Sequence, residues 1–178
     1  QVSDQDVAST PTVTLKAAME LARDRDLIAR EWSTGFHWIG RRSCDWLRET
    51  WHTARRGTPP LPDLGDGVAA APWELAVIVT HLQLLSEGDT LIRRKCGEET
   101  ERSAMRLAHD ALQAGSWECP AGLQKLRELD QWLRADGHRR NPGTTADLVA
   151  GCLFWASRKG WIDPPSRAEV LAHADAIR

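Results

Sequence analysis

The stretch Pro72-Trp73-Glu74-Leu75-Ala76-Val77-Ile78-Val79-Thr80-His81-Leu82-Gln83-Leu84-Leu85-Ser86 decides the fold. From Trp73 to Ser86 it is apolar on nearly every side, so it reads as a buried central helix rather than a surface one. Val77-Ile78-Val79 alone could form a strand. The apolar window is long enough for a helix, however, and no second β-rich run exists to pair with it. Pro72 suits the first turn of that helix. The segment before it, Gly57 to Pro72, contains Pro59, Pro60, Pro62, Gly65 and Gly67 and must be a loop.

Toward the N-terminus, Leu15, Met19, Ala22, Asp26 and Ala29 form one helical stripe. Leu21, Ile28, Trp32, Phe36 and Ile39 form a second, with a break expected near Ser33-Thr34-Gly35. Trp46, Leu47 and Trp51 carry helical character to about Arg56. Residues 1–11 are polar and without periodicity, and read as an arm; a chain beginning at Gln1 rather than Met reads as processed or trimmed. Toward the C-terminus, Glu98, Glu99 and Glu101 load the first turns of a helix reaching Ala114. Another follows Pro120, with Leu123, Leu126, Leu129, Trp132 and Leu133 on its inner side. Asp136 to Gly143 is a turn, Thr144 to Arg158 a largely buried helix, and a short helix after Pro164-Pro165 ends near Ile177. The expectation is a polar arm (1–11) and a single all-α domain (12–178), a compact bundle of about six or seven helices around the buried one.

Composition narrows function by exclusion. Of 178 residues, 42% are hydrophobic and 27% charged, which argues against disorder. Lys and Arg number 23 against 25 Asp and Glu, a net charge of -2, so the whole chain does not advertise a nucleic-acid binder. No apolar run reaches membrane-spanning length and no signal peptide is visible, so a soluble, cytoplasmic protein is expected. Cys44, Cys96, Cys119 and Cys152 form no C-x-x-C pair and read as buried thiols. The six histidines form no metal-ligand pair, and the nine tryptophans, with no tyrosine beside them, read as packing residues.

Three segments put polar residues where apolar ones would be expected. In Arg23 to Glu31, Asp26 and Arg30 stand four apart on one helix face, either as an internal salt bridge or as part of a site. In Gly88 to Gly97, Asp89 and Thr90 emerge at a helix end, followed by Arg93, Arg94 and Lys95. That combination suits a metal-bound polyphosphate, or else a solvated basic stretch. In Arg139 to Leu148, Asn141, Gly143, Thr144, Thr145 and Asp147 form a glycine-and-hydroxyl helix start able to meet an anion. The alternative there is a plain capped helix with Thr144 or Thr145 as the cap.

In this order the three segments resemble the C-terminal half of the triphosphoribosyl-dephospho-CoA synthase family, especially its branch in methanogens and methylotrophs. The matching stretches are Pro11-Thr12-Val13-Thr14-Leu15, Arg25-Asp26-Leu27-Ile28-Ala29-Arg30, Thr34-Gly35-Phe36, Asp89-Thr90-Leu91-Ile92 with Arg94-Lys95 and Gly97, and Asn141-Pro142-Gly143-Thr144-Thr145-Ala146-Asp147-Leu148. The resemblance implies an all-helical transferase that moves a triphosphoribosyl group from ATP to a ribose hydroxyl of dephospho-CoA and expels adenine, or a relative acting in one-carbon cofactor metabolism. On that reading Asp89 holds Mg²⁺ or acts as base, Asp147 and Asp26 are further carboxylates of the site, and Arg30, Arg93, Arg94 and Lys95 meet phosphate. Asn141, Gly143, Thr144 and Thr145 bind phosphate or ribose. The family's S-x-x-P-K-P-G-type segment and its histidine motif are absent. A companion chain carrying that half, or a homo-oligomer, is therefore expected, with neither nucleic acid nor membrane as partner. The competing expectation is a non-catalytic helical binding or assembly subunit that keeps an anion pocket.

Overall fold

Several helices in this chain begin where a polar side chain accepts from the free N–H groups of a first turn, as at Thr14, Asp26 and Asp89, and several end at glycines, as at Gly35, Gly88 and Gly97. A computed structural model describes residues 12–57, 59–64, 69–163 and 165–176. The expected arm over residues 1–11 lies outside them. Among the described residues the elements are α1 (Leu15–Ala22), α2 (Leu27–Thr34), a π-helical stretch (Ile39–Ser43), α3 (Cys44–Arg55), α4 (Pro72–Glu87), α5 (Thr90–Cys96), α6 (Glu98–Gln113), α7 (Pro120–Arg134), α8 (Gly143–Arg158) and α9 (Arg167–Ala176). The fold is all-α. Val77-Ile78-Val79 lies inside α4, and the one β-type contact among the described residues is an isolated bridge between Asp63 and Ala69.

The helices outnumber the six or seven expected, because the segment from Leu15 to Arg56 breaks twice rather than once and Thr90–Cys96 forms a helix of its own. Thr14 Oγ1 caps α1 by accepting from the Ala17 N–H at 3.2 Å. The chain then turns through Arg23–Arg25, and Asp26 restarts it as the cap of α2. Gly35 ends α2 with a left-handed φ of 71°, a conformation costly for residues with a Cβ. Phe36 donates its N–H back to the Glu31 carbonyl at 2.7 Å. Downstream, α8 starts at Gly143, and α9 ends at Ala176, before Ile177, which lies outside the described residues.

α4 is the centre for a reason visible in its composition: each of its faces meets a different apolar cluster. Ala76 and Leu84 pack with Cys44, Leu47 and Trp51 of α3 and with Leu148, Val149, Cys152 and Ala156 of α8. Leu82 and Leu85 pack with Ile92 of α5, Ala104, Ala108 and Ala111 of α6, and Leu129 of α7. Leu75 joins Ala54, Ala70 and Trp117. Leu75, Leu82, Leu84 and Leu85 are fully buried, and each such leucine contributes about 1.5–3 kcal/mol of burial free energy. The hydroxyl of buried Thr80 donates to the Ala76 carbonyl at 2.7 Å, so α4 carries one polar residue inward without an unmet bond.

Among the described residues no single helix is long and apolar enough to cross a membrane; α4 and α5 reach that length only as a pair bent by 58°. That bend sets Asp89 between them. Six of the nine tryptophans carry a cation over the ring, as with Arg140 over Trp132 at 4.4 Å and Arg42 over Trp46 at 5.0 Å. These rings pack one side on the core and offer the other to a basic side chain, a division of faces that indole permits. Cys44 and Cys152 are buried as expected, whereas Cys96 and Cys119 are only half-buried; all four are free thiols.

Candidate functional site

The three polar segments meet, although they lie far apart in the chain. Asp26 caps α2, its Oδ1 accepting from the Ile28 and Ala29 N–H groups at 2.9 and 3.0 Å. Asp89 caps α5 in the same way, with Oδ1 accepting from Leu91 and Ile92, both at 2.9 Å. Its Oδ2 accepts two more hydrogen bonds, from the N–H and the hydroxyl of Thr145 in α8, both at 2.8 Å. Thr90 Oγ1 accepts from the Leu27 N–H at 3.3 Å and lies 3.2 Å from Thr144 Oγ1, which also accepts from the Leu91 N–H at 3.1 Å. The N-termini of α2, α5 and α8 are thus laced into one seam, where three positive dipole ends face two capping carboxylates.

Gly143 lies at the contact between α8 and α5. A Cβ there would stand 2.5 Å from Leu91 Cδ2, so any larger residue requires the Leu91 side chain to shift or the start of α8 to move. The cap of α8 also differs from expectation. Pro142 occupies it with no side-chain bond, while Thr144 and Thr145 turn their hydroxyls across to α5 instead of back onto their own helix.

The seam redefines several of the expected roles. Asp89 is fully buried, and its four hydrogen bonds fill the four lone-pair positions of a carboxylate. The Mg²⁺ or general-base role expected of it does not fit this geometry, since an octahedral cation at about 2.0–2.1 Å has no free oxygen to reach. Among the described residues no cluster of three or more His, Cys, Asp or Glu could hold a metal ion. Asp26 and Arg30 form no ion pair among those residues; Arg30 instead lies over the Trp38 ring at 5.7 Å. Arg93 pairs with buried Glu101 of α6. Arg94 and Lys95 are exposed on the last turn of α5, away from the capped end. Asn141 and Asp147 are exposed on either side of the α8 start.

Beside the seam opens a cavity of about 770 Å³ lined by Arg30, Glu31, Thr34, His37, Trp38 and Glu87. Arg30 stands one turn beyond Leu27, and Glu87 two residues before Asp89, so the cavity adjoins the laced N-termini. Glu87 pairs with Arg42 at 3.1 Å. Glu31 is 2% exposed, and its Oε2 accepts from the Ile39 N–H at 2.9 Å, which anchors the start of the π-helical stretch. A second cavity, about 550 Å³ and mainly apolar, lies between α4 and α7 with His81 in its wall; none of the site residues expected from sequence lines it. Burial holds the His81 imidazole below its usual pKa, and the charge of Asp89 opposes that more weakly.

Glu31, Glu101 and His81 are given no site role by the sequence, and Thr90 only a place beside Asp89. A signal existed for two of them. Glu101 leads Ala104, Ala108 and Ala111 at helical spacing, and Glu31 follows Leu27 and Ile28 by four and three residues, so both carboxylates share a helix face with core residues.

Residues 1–164 match the family described as CitG, ATP:dephospho-CoA triphosphoribosyl transferase. A protein of Pseudomonas syringae pv. tomato named “Probable 2-(5''-triphosphoribosyl)-3'-dephosphocoenzyme-A synthase” is 31% identical over 164 residues, covering 85% of this chain and 53% of that protein. One of the same name from Pseudomonas savastanoi pv. phaseolicola is 35% identical over 98 residues, covering 53% of this chain and 32% of that protein. The chain spans about half the length, or less, of the curated relatives it matches. No solved structure matches it. With the family matched over most of its length, and the three segments that carry the likeness joined in one seam, the chain belongs to the CitG family of ATP:dephospho-CoA triphosphoribosyl transferases.

Proposed function

We propose that this chain supplies one part of a transferase that moves the triphosphoribosyl group of ATP to a ribose hydroxyl of dephospho-CoA or a related acceptor, releasing adenine. The observation that carries the proposal is the seam: the family's segments around Asp26, Asp89 and Thr144 converge through direct hydrogen bonds. Displacing adenine needs a positioned hydroxyl and stabilisation of positive charge growing at the ribose carbon. The triphosphate needs groups that tolerate its negative charge. Helix N-termini and cations supply the last of these. Arg30 in the cavity wall and the exposed Arg94 and Lys95 are the cations offered to phosphate, with Asn141, Gly143 and Asp147 at the α8 start. ATP enters with its Mg²⁺ as substrate; Asp89 holds the seam and not the metal. The resemblance to the methanogen and methylotroph branch extends the proposal to an acceptor of one-carbon cofactor metabolism, in the cytoplasm.

The relatives are about two to three times as long as the part matched, so the active unit in this proposal includes a companion chain with the remaining segments. Exposed Leu15, Leu21, Trp32 and Phe154 offer apolar surface for it. A non-catalytic binding subunit is the second reading, favoured by one observation: the carboxylate expected to do chemistry, Asp89, has no free oxygen.

The deciding experiment incubates the chain, alone and with the companion, with MgATP and dephospho-CoA and measures free adenine by chromatography. Adenine that depends on the acceptor is the expected result. Saturable ATP binding with no adenine from either preparation would replace the transferase with the binding subunit.

A further inference from the structure

Five carboxylates lie in or near the seam and its cavity, and among the described residues only Glu31 is both buried and left with an unbonded oxygen. Asp89 has its four bonds within the seam, Asp26 caps α2, Glu87 pairs with Arg42, and Asp147 is exposed on α8. Glu31 differs from each of them. It is buried yet lines the 770 Å³ cavity, and among the described residues its carboxylate receives one hydrogen bond, from the Ile39 N–H to Oε2. The second oxygen, Oε1, is left to accept from whatever occupies the cavity.

A carboxylate withdrawn from water is costly unless paired, and as an acceptor it is stronger than an exposed one. The protein holds Glu31 through the backbone N–H of Ile39 at the start of the π-helical stretch, which ties Oε2 and leaves Oε1 unbonded among the described residues. The cavity has the size of a ligand pocket. Arg30 marks a side of it suited to an anion, and the Trp38 ring a flat apolar wall.

We infer that Glu31 is the general base of this site, accepting the proton of the acceptor's hydroxyl through Oε1. This rests on the transferase reading above. In the step, the hydroxyl proton passes to Glu31 as the hydroxyl oxygen forms its bond to C1′ of the ATP ribose. The C1′–N9 bond breaks with its electron pair going to adenine, which takes a proton from water, and Glu31 returns its own proton to solvent. The carboxylate that carries the chemistry is then on α2, and Asp89 is the group that positions α5 and α8 around it.

The test is Glu31→Gln in whichever preparation, chain alone or with its companion, releases adenine. Glutamine keeps a carbonyl oxygen for the Ile39 N–H, so the fold should survive. The expected result is a fall in kcat of about 10²- to 10³-fold with the KM for ATP unchanged within about twofold. Wild-type turnover in Glu31→Gln overturns the assignment and leaves the transferase reading standing, as does a loss confined to KM. A wild-type preparation that never releases adenine removes the transferase reading and the assignment together. If Glu31→Gln does not fold, Glu31→Asp is read instead. Moving the carboxylate back by one methylene should lower kcat at least tenfold, and a wild-type kcat in that variant overturns the assignment.

Discussion

At Asp89, four donors from two helices converge on one buried carboxylate, and the energetic consequence is concentrated there. Truncating it strands the N–H groups of Ile92 and Thr145 and the hydroxyl of Thr145, and leaves the Leu91 N–H only its bond to Thr144 Oγ1. Unmet buried donors cost about 1–3 kcal/mol each before relaxation. Asp89→Ala should therefore lose about 3–5 kcal/mol in urea denaturation. A loss under 1 kcal/mol would mean that the seam does not hold the helices. His81 carries the second prediction at this scale. Burial keeps its folded-state pKa below the ordinary value near 6.5. Above that pH neither state binds the proton and His81 has no pH effect. As pH falls through it, the unfolded chain takes up a proton that the folded chain refuses, so stability is lost toward the folded pKa. Between pH 7 and pH 5 the wild type should lose stability more steeply than His81→Gln. Equal slopes in the two denaturation series would contradict this.

Between elements, the decisive feature is how closely α8 can approach α5. Gly143 and Leu91 share the contact, so a Cβ at position 143 must displace Leu91 or lift α8 off the seam. Gly143→Ala should cost about 1–3 kcal/mol as overpacking. Combined with Leu91→Ala, the penalty of the glycine replacement should shrink to less than half its value alone, because the colliding Cδ2 is gone. Strictly additive losses in that double-mutant cycle would show that Gly143 matters for its backbone alone. The same reasoning explains the misassigned caps. Thr144 and Thr145 have the composition of a capping pair, and Asp26 falls on an apolar stripe. Each hydroxyl or carboxylate had two geometries open to it, and the choice depended on where another helix start lay.

For the whole molecule, the all-helical class was legible because α4 announces itself in one continuous run and the loops around it are rich in proline and glycine. That the segments around Asp26, Asp89 and Thr144 are to be read together was legible through their shared likeness, and the structure joins them by hydrogen bonds. The hydrogen-bond and ion-pair partners were not legible. Asp89 read as an open ligand and has its lone-pair positions filled within the seam, Arg93 read as a phosphate cation and pairs through Nε with Glu101 while its side chain stays half-exposed, and Glu31 was given no role beside Arg30. Helix class follows from local periodicity and backbone preference, which lie within a window of residues. The sequence by itself thus determined an all-α chain with a buried central helix and three polar segments set apart from the core pattern. Only the tertiary structure decided which lone pairs are free. The bonds that fill them join residues 53, 56 and 63 positions apart, and such pairings depend on how whole helices pack rather than on any neighbouring residue.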